Sequence, residues 1–325
     1  MAEFNFAPKN EFDFDKYLIN LSEKIEVPAP LISLNGKPLF SRGDISCVGG
    51  KAKSCKTFLN CLLAAYFLEH TENGNIIIFD TEQSKFYSQK IPKRIHKILG
   101  WDENENCDNL KVFRLREMDT AEREKFVKEA IIHYKPDLVF VDGIRDLILD
   151  FNAPEQSSRI VNLIMKLSSV YNCHICTVLH ENKEGGNLRG HLGSEIVNKC
   201  ETVIGVERKG DVLEVKQKYC RNIPFDDFYF RINDEGLPEF CDQSLNIITS
   251  NTHEDLFVEI FAENAFLEYK VLRKIIMDKT KKSESTAEKY IKTAKATGII
   301  NKNKVDKYYL VSNEYEEQAE NHLPY

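Results

Sequence analysis

Long hydrophobic runs are absent from this chain of 325 residues. A helix that crosses a bilayer needs roughly 20 consecutive apolar residues. No run approaches that length, so we expect no membrane span. Residues 1–6 also lack the basic and then apolar order of a secretion signal. Together these absences predict a cytoplasmic protein with no membrane partner.

Glycine and proline are scarce, at 15 and 10 residues, which excludes collagen-like and low-complexity chains. Apolar residues make up 42% and charged residues 29%, the profile of a well-packed protein. A single core stops growing at roughly 250 to 300 residues. The length therefore predicts one large domain and a small one.

A regular cysteine pattern is also missing, since the nine cysteines are odd in number and irregularly spaced, which favours reduced thiols over a disulfide framework. Cys173 and Cys176 form a lone C-x-x-C, and no second pair follows to complete a zinc site. We expect reduced thiols, most of them small core residues.

An overall positive charge is also missing, since the net charge is −7. This argues against a protein that coats nucleic acid over its whole surface. The distribution is uneven, because residues 270–307 contain 12 Lys and Arg against 4 Asp and Glu. Basic charge is therefore concentrated near one end of the chain.

Short β-rich runs alternate with helical patterns between residues 45 and 233. This alternation predicts an α/β fold, a mostly parallel sheet with helices on both faces. Val212–Lys218 and Asp227–Ile232 follow without a helix between them and predict an antiparallel extension. The predicted parallel strands are Ile45–Val48, Ile76–Phe79, Val112–Leu115, Leu138–Val141, His174–Leu179 and Thr202–Val206.

A phosphate-binding loop follows the first predicted strand. Such a loop needs inward backbone N–H groups, a lysine for the terminal phosphates and a hydroxyl for magnesium, at a helix N-terminus. Lys56 and Thr57 supply the last two, and Phe58–Leu68 continues as a helix. Cys55 departs from the pattern G-x-x-x-x-G-K-[ST], which has glycine there. The residues predicted to bind ATP with Mg²⁺ are Gly49, Gly50, Lys51, Ala52, Lys53, Ser54, Cys55, Lys56, Thr57 and Phe58.

Two acids stand where other strands end. Asp142 ends the apolar run Leu138–Val141, as a Walker B acid does, and with Thr57 is the predicted magnesium site. Because Gly143 follows it, the base that activates water must come from elsewhere. Glu82, which ends the run Ile78-Phe79-Asp80-Thr81-Glu82, is the candidate. The plainer alternative for both acids is an ordinary solvated turn.

At these residues the chain resembles RecA-like ATPases, whose catalytic glutamate ends the corresponding strand, as Glu82 does. The resemblance implies that His180 senses the terminal phosphate and signals to a flexible DNA-binding loop. That loop would be the Gly-rich segment 185–193, in which Arg189 is the candidate DNA contact. By chemistry alone, a histidine at a strand end is more often simply exposed.

The runs Leu188-Arg189-Gly190-His191-Leu192-Gly193-Ser194-Glu195 and Val215-Lys216-Gln217-Lys218-Tyr219-Cys220-Arg221-Asn222 extend the likeness. With the loop and acids, they resemble the hexameric helicase branch typified by plasmid RepA and replicative DnaB, over about residues 40–233. The Gly-Lys-Ala-Lys-Ser loop and the Asp-Gly-Ile-Arg-Asp-Leu stretch are similar to ATPases of bacterial mobile elements. In the helicase branch a late strand presents a lysine and an arginine to the neighbouring subunit's nucleotide. Lys218 and Arg221 match that lysine and arginine loosely, and Lys216 is a competing candidate for the lysine. The plainer alternative is that this strand is merely basic and solvated.

Residues 268–310 resemble a winged helix-turn-helix domain. Tyr269–Met277 is the predicted first helix, and Ser285-Thr286-Ala287-Glu288 is a capping box that starts the second. Ala287, Ile291 and Ala294 are predicted to face the core, which turns a basic face outward. The plainer alternative is a protein-binding or merely solvated module. The predicted DNA contacts are Lys289, Lys292, Thr293, Lys295, Lys302 and Lys304, in addition to Arg189.

Five segments follow from these patterns. The sequence predicts an N-terminal helix and entry arm (1–40), a RecA-like ATPase domain (41–233), a linker (234–252), a winged-helix domain (253–313) and a tail (314–325). The predicted function is an ATP-dependent DNA motor or remodeller, a RepA-like hexameric helicase of a mobile element. The alternative is a DNA-binding regulator or mobilisation protein that uses ATP as a switch.

Overall fold

The structure is a computed structural model. It describes residues 13–24, 30–34, 36–182, 185–241, 256–262, 264–280, 284–296, 299–303 and 306–311, and within 284–296 it leaves five side chains undescribed (285, 286, 289, 293 and 296).

The main body is a nine-stranded sheet. Its spatial order is β11-β10-β9-β8-β3-β7-β6-β4-β5, and the six strands from β8 to β5 are parallel. The three remaining strands extend it in antiparallel pairs. The α/β class is thereby confirmed. The strands are β1 (Pro30–Leu34), β2 (Lys37–Ser41), β3 (Ile45–Gly50), β4 (Ile76–Asp80), β5 (Leu110–Arg114), β6 (Leu138–Asp142), β7 (His174–His180), β8 (Thr202–Lys209), β9 (Val212–Cys220), β10 (Phe228–Ile232), β11 (Pro238–Cys241), β12 (Ile300–Lys302) and β13 (Tyr308–Leu310).

Helices cover both faces of the parallel strands, which explains why runs such as Ile76–Phe79 in β4 and Leu138–Val141 in β6 are apolar throughout rather than alternating. In β4, for example, all five residues are buried. Helices α1 and α2 contribute to the core on one face, and α3, α4 and α5 to the core on the other. The helices are α1 (Lys56–His70), α2 (Lys85–Leu99), α3 (Thr120–Tyr134), α4 (Pro154–Tyr171), α5 (Gly190–Lys199), α6 (Tyr269–Thr280) and α7 (Glu284–Ala296).

The N-terminal prediction needs correction. The helix predicted near residues 14–25 is wrong over 18–24, because only a 3-10 turn at Asp15–Tyr17 forms. Leu18, Ile19 and Leu21 are exposed, so no core contact stabilises a helix there. The arm that follows is not simply extended either. Strands β1 and β2 form an antiparallel pair whose apolar residues join the core beside α1.

Part of the predicted linker is also strand. Pro238–Cys241 pairs with β10 and closes the antiparallel extension, while residues 242–255 lie outside the described residues. Gly236 and Pro238, which indicated a linker, belong instead to the turn and the first position of an edge strand. Proline is tolerated there because it need not donate to the sheet.

The C-terminal residues form a separate small core. Residues 256–262 are helical, α6 and α7 follow, and β12 pairs with β13 in antiparallel fashion. Ala287, Ile291 and Ala294 are buried, as predicted. The hydroxyl side chains of the predicted capping box lie outside the described residues, and the winged-helix class stays a prediction.

None of the described helices combines the length and the apolar character needed to cross a membrane.

Candidate nucleotide-binding site

Four strand ends bring the predicted catalytic residues together. Strands β3, β7, β6 and β4 are consecutive neighbours and parallel, so their carboxyl ends share one edge of the sheet. Ligands of open α/β sheets bind at this edge. The phosphate loop, His180, Asp142 and Glu82 stand there in that order. A cavity of about 540 Å³ opens between them, lined by Lys53, Ser54, Cys55, Lys56, Thr57, Phe58, Glu82, Gln83, Tyr87, Lys90, Arg94, Asp142, Gly143, Arg145, Val178, Leu179 and His180.

The phosphate loop holds its lysine inside the turn. Lys56 is 6% exposed and donates from Nζ to the carbonyls of Gly50 and Lys51, at 3.1 and 2.8 Å. Burial lowers the pKa of this amine, against the opposing field of nearby carboxylates, Asp142 first. Gly49 and Gly50 end β3 inside the sheet, whereas Lys51 and Ala52 are exposed. A polyanion in the cavity would replace the carbonyl partners of Lys56 with phosphate oxygens.

Cys55 occupies a left-handed backbone position, with φ 64° and ψ 28°. A side chain in this conformation costs roughly 1–2 kcal/mol, which glycine avoids. This geometry explains why the phosphate-loop pattern has glycine here. The Cys55 thiol also accepts a 3.4 Å contact from Arg208 Nη2, on the neighbouring strand β8.

Thr57 and Asp142 meet directly. The Thr57 hydroxyl donates to Asp142 Oδ2 at 2.7 Å, and burial raises the pKa of Asp142 to about 6. A half-buried carboxylate beside a hydroxyl fits Mg²⁺, which takes oxygen ligands and keeps several waters and phosphate oxygens. Among the described residues no cluster of three or more His, Cys, Asp or Glu could hold a metal. The remaining ligands of a magnesium ion here would therefore come from phosphate and water.

The turn after β4 is rigid. Buried Asp80 accepts from the backbone N–H groups of Glu82 and Gln83, at 3.1 and 3.0 Å, and from the Ser88 hydroxyl. These bonds pin the backbone of Glu82 while its side chain reaches the cavity. Because Asp80 is used in this way, Glu82 is the acid of the turn that is available for chemistry.

Glu82 and His180 form the polar wall opposite the phosphate loop. His180 Nε2 lies 3.9 Å from Glu82 Oε1. This contact is the main cause that holds the pKa of Glu82 below its ordinary value. Glu82 is therefore an ionised carboxylate at neutral pH, as an acceptor of a proton from water must be. His180 Nδ1 is buried and has no hydrogen-bond partner among the described residues.

The AAA domain family model matches residues 13–186, a span that contains the phosphate loop, Glu82, Asp142 and His180. The chain belongs to the AAA domain family. Membership implies nucleotide binding, usually with Mg²⁺, and suggests an ATPase of the AAA or RecA-like kind. No curated protein matches the chain.

The basic residues predicted to act on a neighbour's nucleotide lie apart from this AAA-domain cavity. Lys218 pairs with Glu181 and donates to the Gly186 carbonyl at 2.6 Å, so it is engaged within its own chain. Arg221 follows β9 at the opposite edge of the sheet and donates to the Lys199 carbonyl at 2.9 Å. Lys216 pairs with Glu214 at 3.1 Å. None of the three lines the cavity of its own chain.

The predicted DNA contacts fall in two places. Arg189 directly precedes α5, and its backbone N–H donates to the His180 carbonyl at 3.0 Å. In the C-terminal core Lys292 and Lys295 are exposed, while Lys302 pairs with Asp306 at 2.7 Å. Lys304 and the side chains of Lys289 and Thr293 lie outside the described residues.

Sequence reasoning missed several residues of the AAA-domain cavity, notably Arg145 and one face of α2. Tyr87, Lys90 and Arg94 recur at helical spacing directly after Glu82, a pattern that could have been noticed. Arg94 packs its guanidinium 3.9 Å from the Phe58 ring centroid. Arg145 belongs to the Asp-Gly-Ile-Arg-Asp-Leu stretch that carried the family resemblance.

Proposed function

We propose that this chain is an ATP-dependent DNA motor or remodeller, specifically a RepA-like hexameric DNA helicase of a mobile genetic element. The observation that carries the proposal is the Glu82 carboxylate, which faces the phosphate loop across one cavity with Asp142 and His180. ATP hydrolysis requires an ionised acid that accepts a proton from water, so this position of Glu82 supports turnover.

Each residue then has a defined task. Lys56 and the backbone of the loop bind the phosphates, and Thr57 with Asp142 would hold Mg²⁺. Bound Mg²⁺ would neutralise charge that develops on the phosphate oxygens. Glu82 orients the attacking water and accepts its proton, while His180 stays in contact with that carboxylate. His180 also leads directly into the segment that ends at Arg189.

The proposed function includes an assembly of several copies. Arg221 lies at the sheet edge opposite its own cavity, so a role on a phosphate requires that it act on another copy's site. An arginine supplied to a neighbour's phosphates contributes roughly 10³- to 10⁵-fold in rate. Arg189 and the exposed lysines of α7 supply positive charge for DNA phosphates in an otherwise acidic protein.

The decisive test measures ATP turnover with and without single-stranded DNA, in the wild type and in Glu82→Gln. We expect DNA to stimulate turnover and the variant to lose roughly 10²- to 10⁴-fold while it still binds ATP. Glu69→Gln is the matched control, because Glu69 is an exposed acid at the end of α1. Its turnover should equal that of the wild type.

The native mass with ATP and DNA completes the test. A ring-sized assembly with strand unwinding supports the helicase. A monomer that binds ATP tightly without turnover overturns it in favour of the DNA-binding regulator, in which ATP acts as a switch.

A further inference from the structure

Arg145 is a cation that the proposed mechanism does not use. It lies in the 3-10 turn Ile144–Leu147, directly after β6, and lines the same cavity as Lys56, Glu82 and His180. Its only described ion pair is with the adjacent Asp146, at 3.4 Å, and its side chain is 47% exposed. Its field also helps lower the pKa of Glu82. A charged fork with one weak partner therefore stands at the rim of a phosphate-binding cavity.

A hydrogen bond to Thr81 holds the turn that carries Arg145. Asp146 Oδ2 accepts the Thr81 hydroxyl at 2.7 Å, which ties the turn to the residue before Glu82. Gly143 permits this contact, because it has φ 111° and a Cβ there would lie 2.2 Å from Thr81 Oγ1. The turn that carries Arg145 is thereby tied to the residue before Glu82.

Phe151 supports the side chain of Arg145. The guanidinium of Arg145 lies 5.0 Å from the Phe151 ring centroid, and that of Arg189 lies at the same distance. An aromatic ring attracts each cation by about 0.5–1 kcal/mol at exposed sites. Two cations that share one ring also repel each other, so an anion near either of them is favoured. Arg145 faces the cavity where such an anion would bind.

Arg189 is connected to both sides of this arrangement. The backbone N–H of Arg189 donates to the His180 carbonyl. In the first turn of α5, which follows, the Leu192 N–H donates to the Phe151 carbonyl at 3.0 Å. At Gly190 an added Cβ would lie 2.5 Å from the Phe151 ring. The ring of Phe151 is therefore a fixed support between the cavity and the start of α5.

We propose that Arg145 binds the terminal phosphate of the nucleotide from within the same chain, and that Phe151 positions it to do so. The inference rests on the proposed nucleotide site and adds a residue that separates a triphosphate from a diphosphate. The guanidinium contacts the phosphate group that ATP has and ADP lacks.

The test compares the affinities of ADP and of a non-hydrolysable ATP analogue, each with Mg²⁺, in the wild type and in Arg145→Gln. We expect the analogue to bind the variant roughly tenfold to hundredfold more weakly, because a charged hydrogen bond is lost. ADP affinity should stay within about twofold. Arg145→Lys, which keeps the charge but loses the planar fork, should recover part of the loss. Phe151→Leu should weaken the analogue alone, by roughly threefold.

Arg159→Gln is the matched control, because Arg159 pairs with Glu124 on the surface of α4 and is absent from the cavity lining. It should leave both affinities unchanged. Equal weakening of ADP and the analogue in Arg145→Gln, or no weakening of either, overturns the inference and leaves the nucleotide site intact. A wild-type protein that binds neither nucleotide overturns the proposed function and the inference together.

Discussion

Acid should destabilise the main body of this protein through one buried histidine. His174, the first residue of β7, is fully buried and its ring stacks on Phe40, with centroids 4.4 Å apart. Nδ1 lies 2.8 Å from the Ser41 carbonyl and Nε2 lies 2.7 Å from the Ser46 hydroxyl. A carbonyl only accepts, so we assign the proton to Nδ1, and the Ser46 hydroxyl then donates to Nε2. The neutral ring is fully satisfied, and a second proton would bury a charge.

Burial accordingly lowers the pKa of His174 from 6.5 to about 4. The unfolded chain binds this proton more readily, so stability is fully present above pH 6.5 and is lost as the pH falls towards 4. Each pH unit inside that window costs about 1.4 kcal/mol. Acidification from pH 7 to pH 5 should therefore remove about 2 kcal/mol of unfolding free energy through this residue alone.

The measurement is urea unfolding at pH 7 and pH 5, followed by the fluorescence of Trp101, the single tryptophan. His174→Gln cannot titrate, so it should be less stable at pH 7 but lose about 2 kcal/mol less than the wild type on acidification. His133→Gln, at an exposed position of α3, is the matched control and should keep the wild-type response. Equal losses in the wild type and in His174→Gln would refute the reasoning.

Two further predictions concern backbone geometry. Gly143→Ala should lower the free energy of unfolding by about 2 kcal/mol or more, because the added Cβ would collide with Thr81 Oγ1. Gly100→Ala should lower it by less, because Gly100 also has a positive φ but nothing lies within 4 Å of the added Cβ. Chemical unfolding of both variants measures the difference. Cys55→Gly should be about 1 kcal/mol more stable than Cys55→Ala, because both lose the thiol but only glycine relieves the left-handed conformation. Equal melting temperatures for Cys55→Gly and Cys55→Ala would contradict the inference that the left-handed conformation at residue 55 is strained.

Much of the fold follows from local patterns in the sequence. The parallel strands were predicted because runs such as Ile76–Phe79 are apolar throughout and are followed by helical spacing. The strand ends that carry Glu82, Asp142 and His180 were predicted for the same reason. The chemical roles assigned to these side chains stay predictions.

The elements that were missed depend on distant contacts. Strands β1 and β2 are short and pair with each other. Their apolar residues are buried against α1, and no local pattern in the sequence reveals that contact. The helix predicted over residues 14–25 had suitable apolar residues and no surface to bury them on. Tertiary contacts outweighed local propensity in each case.

The position of β7 has a consequence for how this protein is made. In the sheet, β7 lies between β3 and β6, although it is the last of the four site strands to be synthesised. A nascent chain that stops before residue 174 already contains the phosphate loop, Glu82 and Asp142, and its β4 can pair with β6, but nothing joins β3 to that pair. We therefore expect the Thr57–Asp142 hydrogen bond to form after β7 has inserted. Such late, long-range pairing is slow and exposes strand edges in the meantime. We therefore expect nucleotide binding at this site to stabilise only a chain that has completed β7.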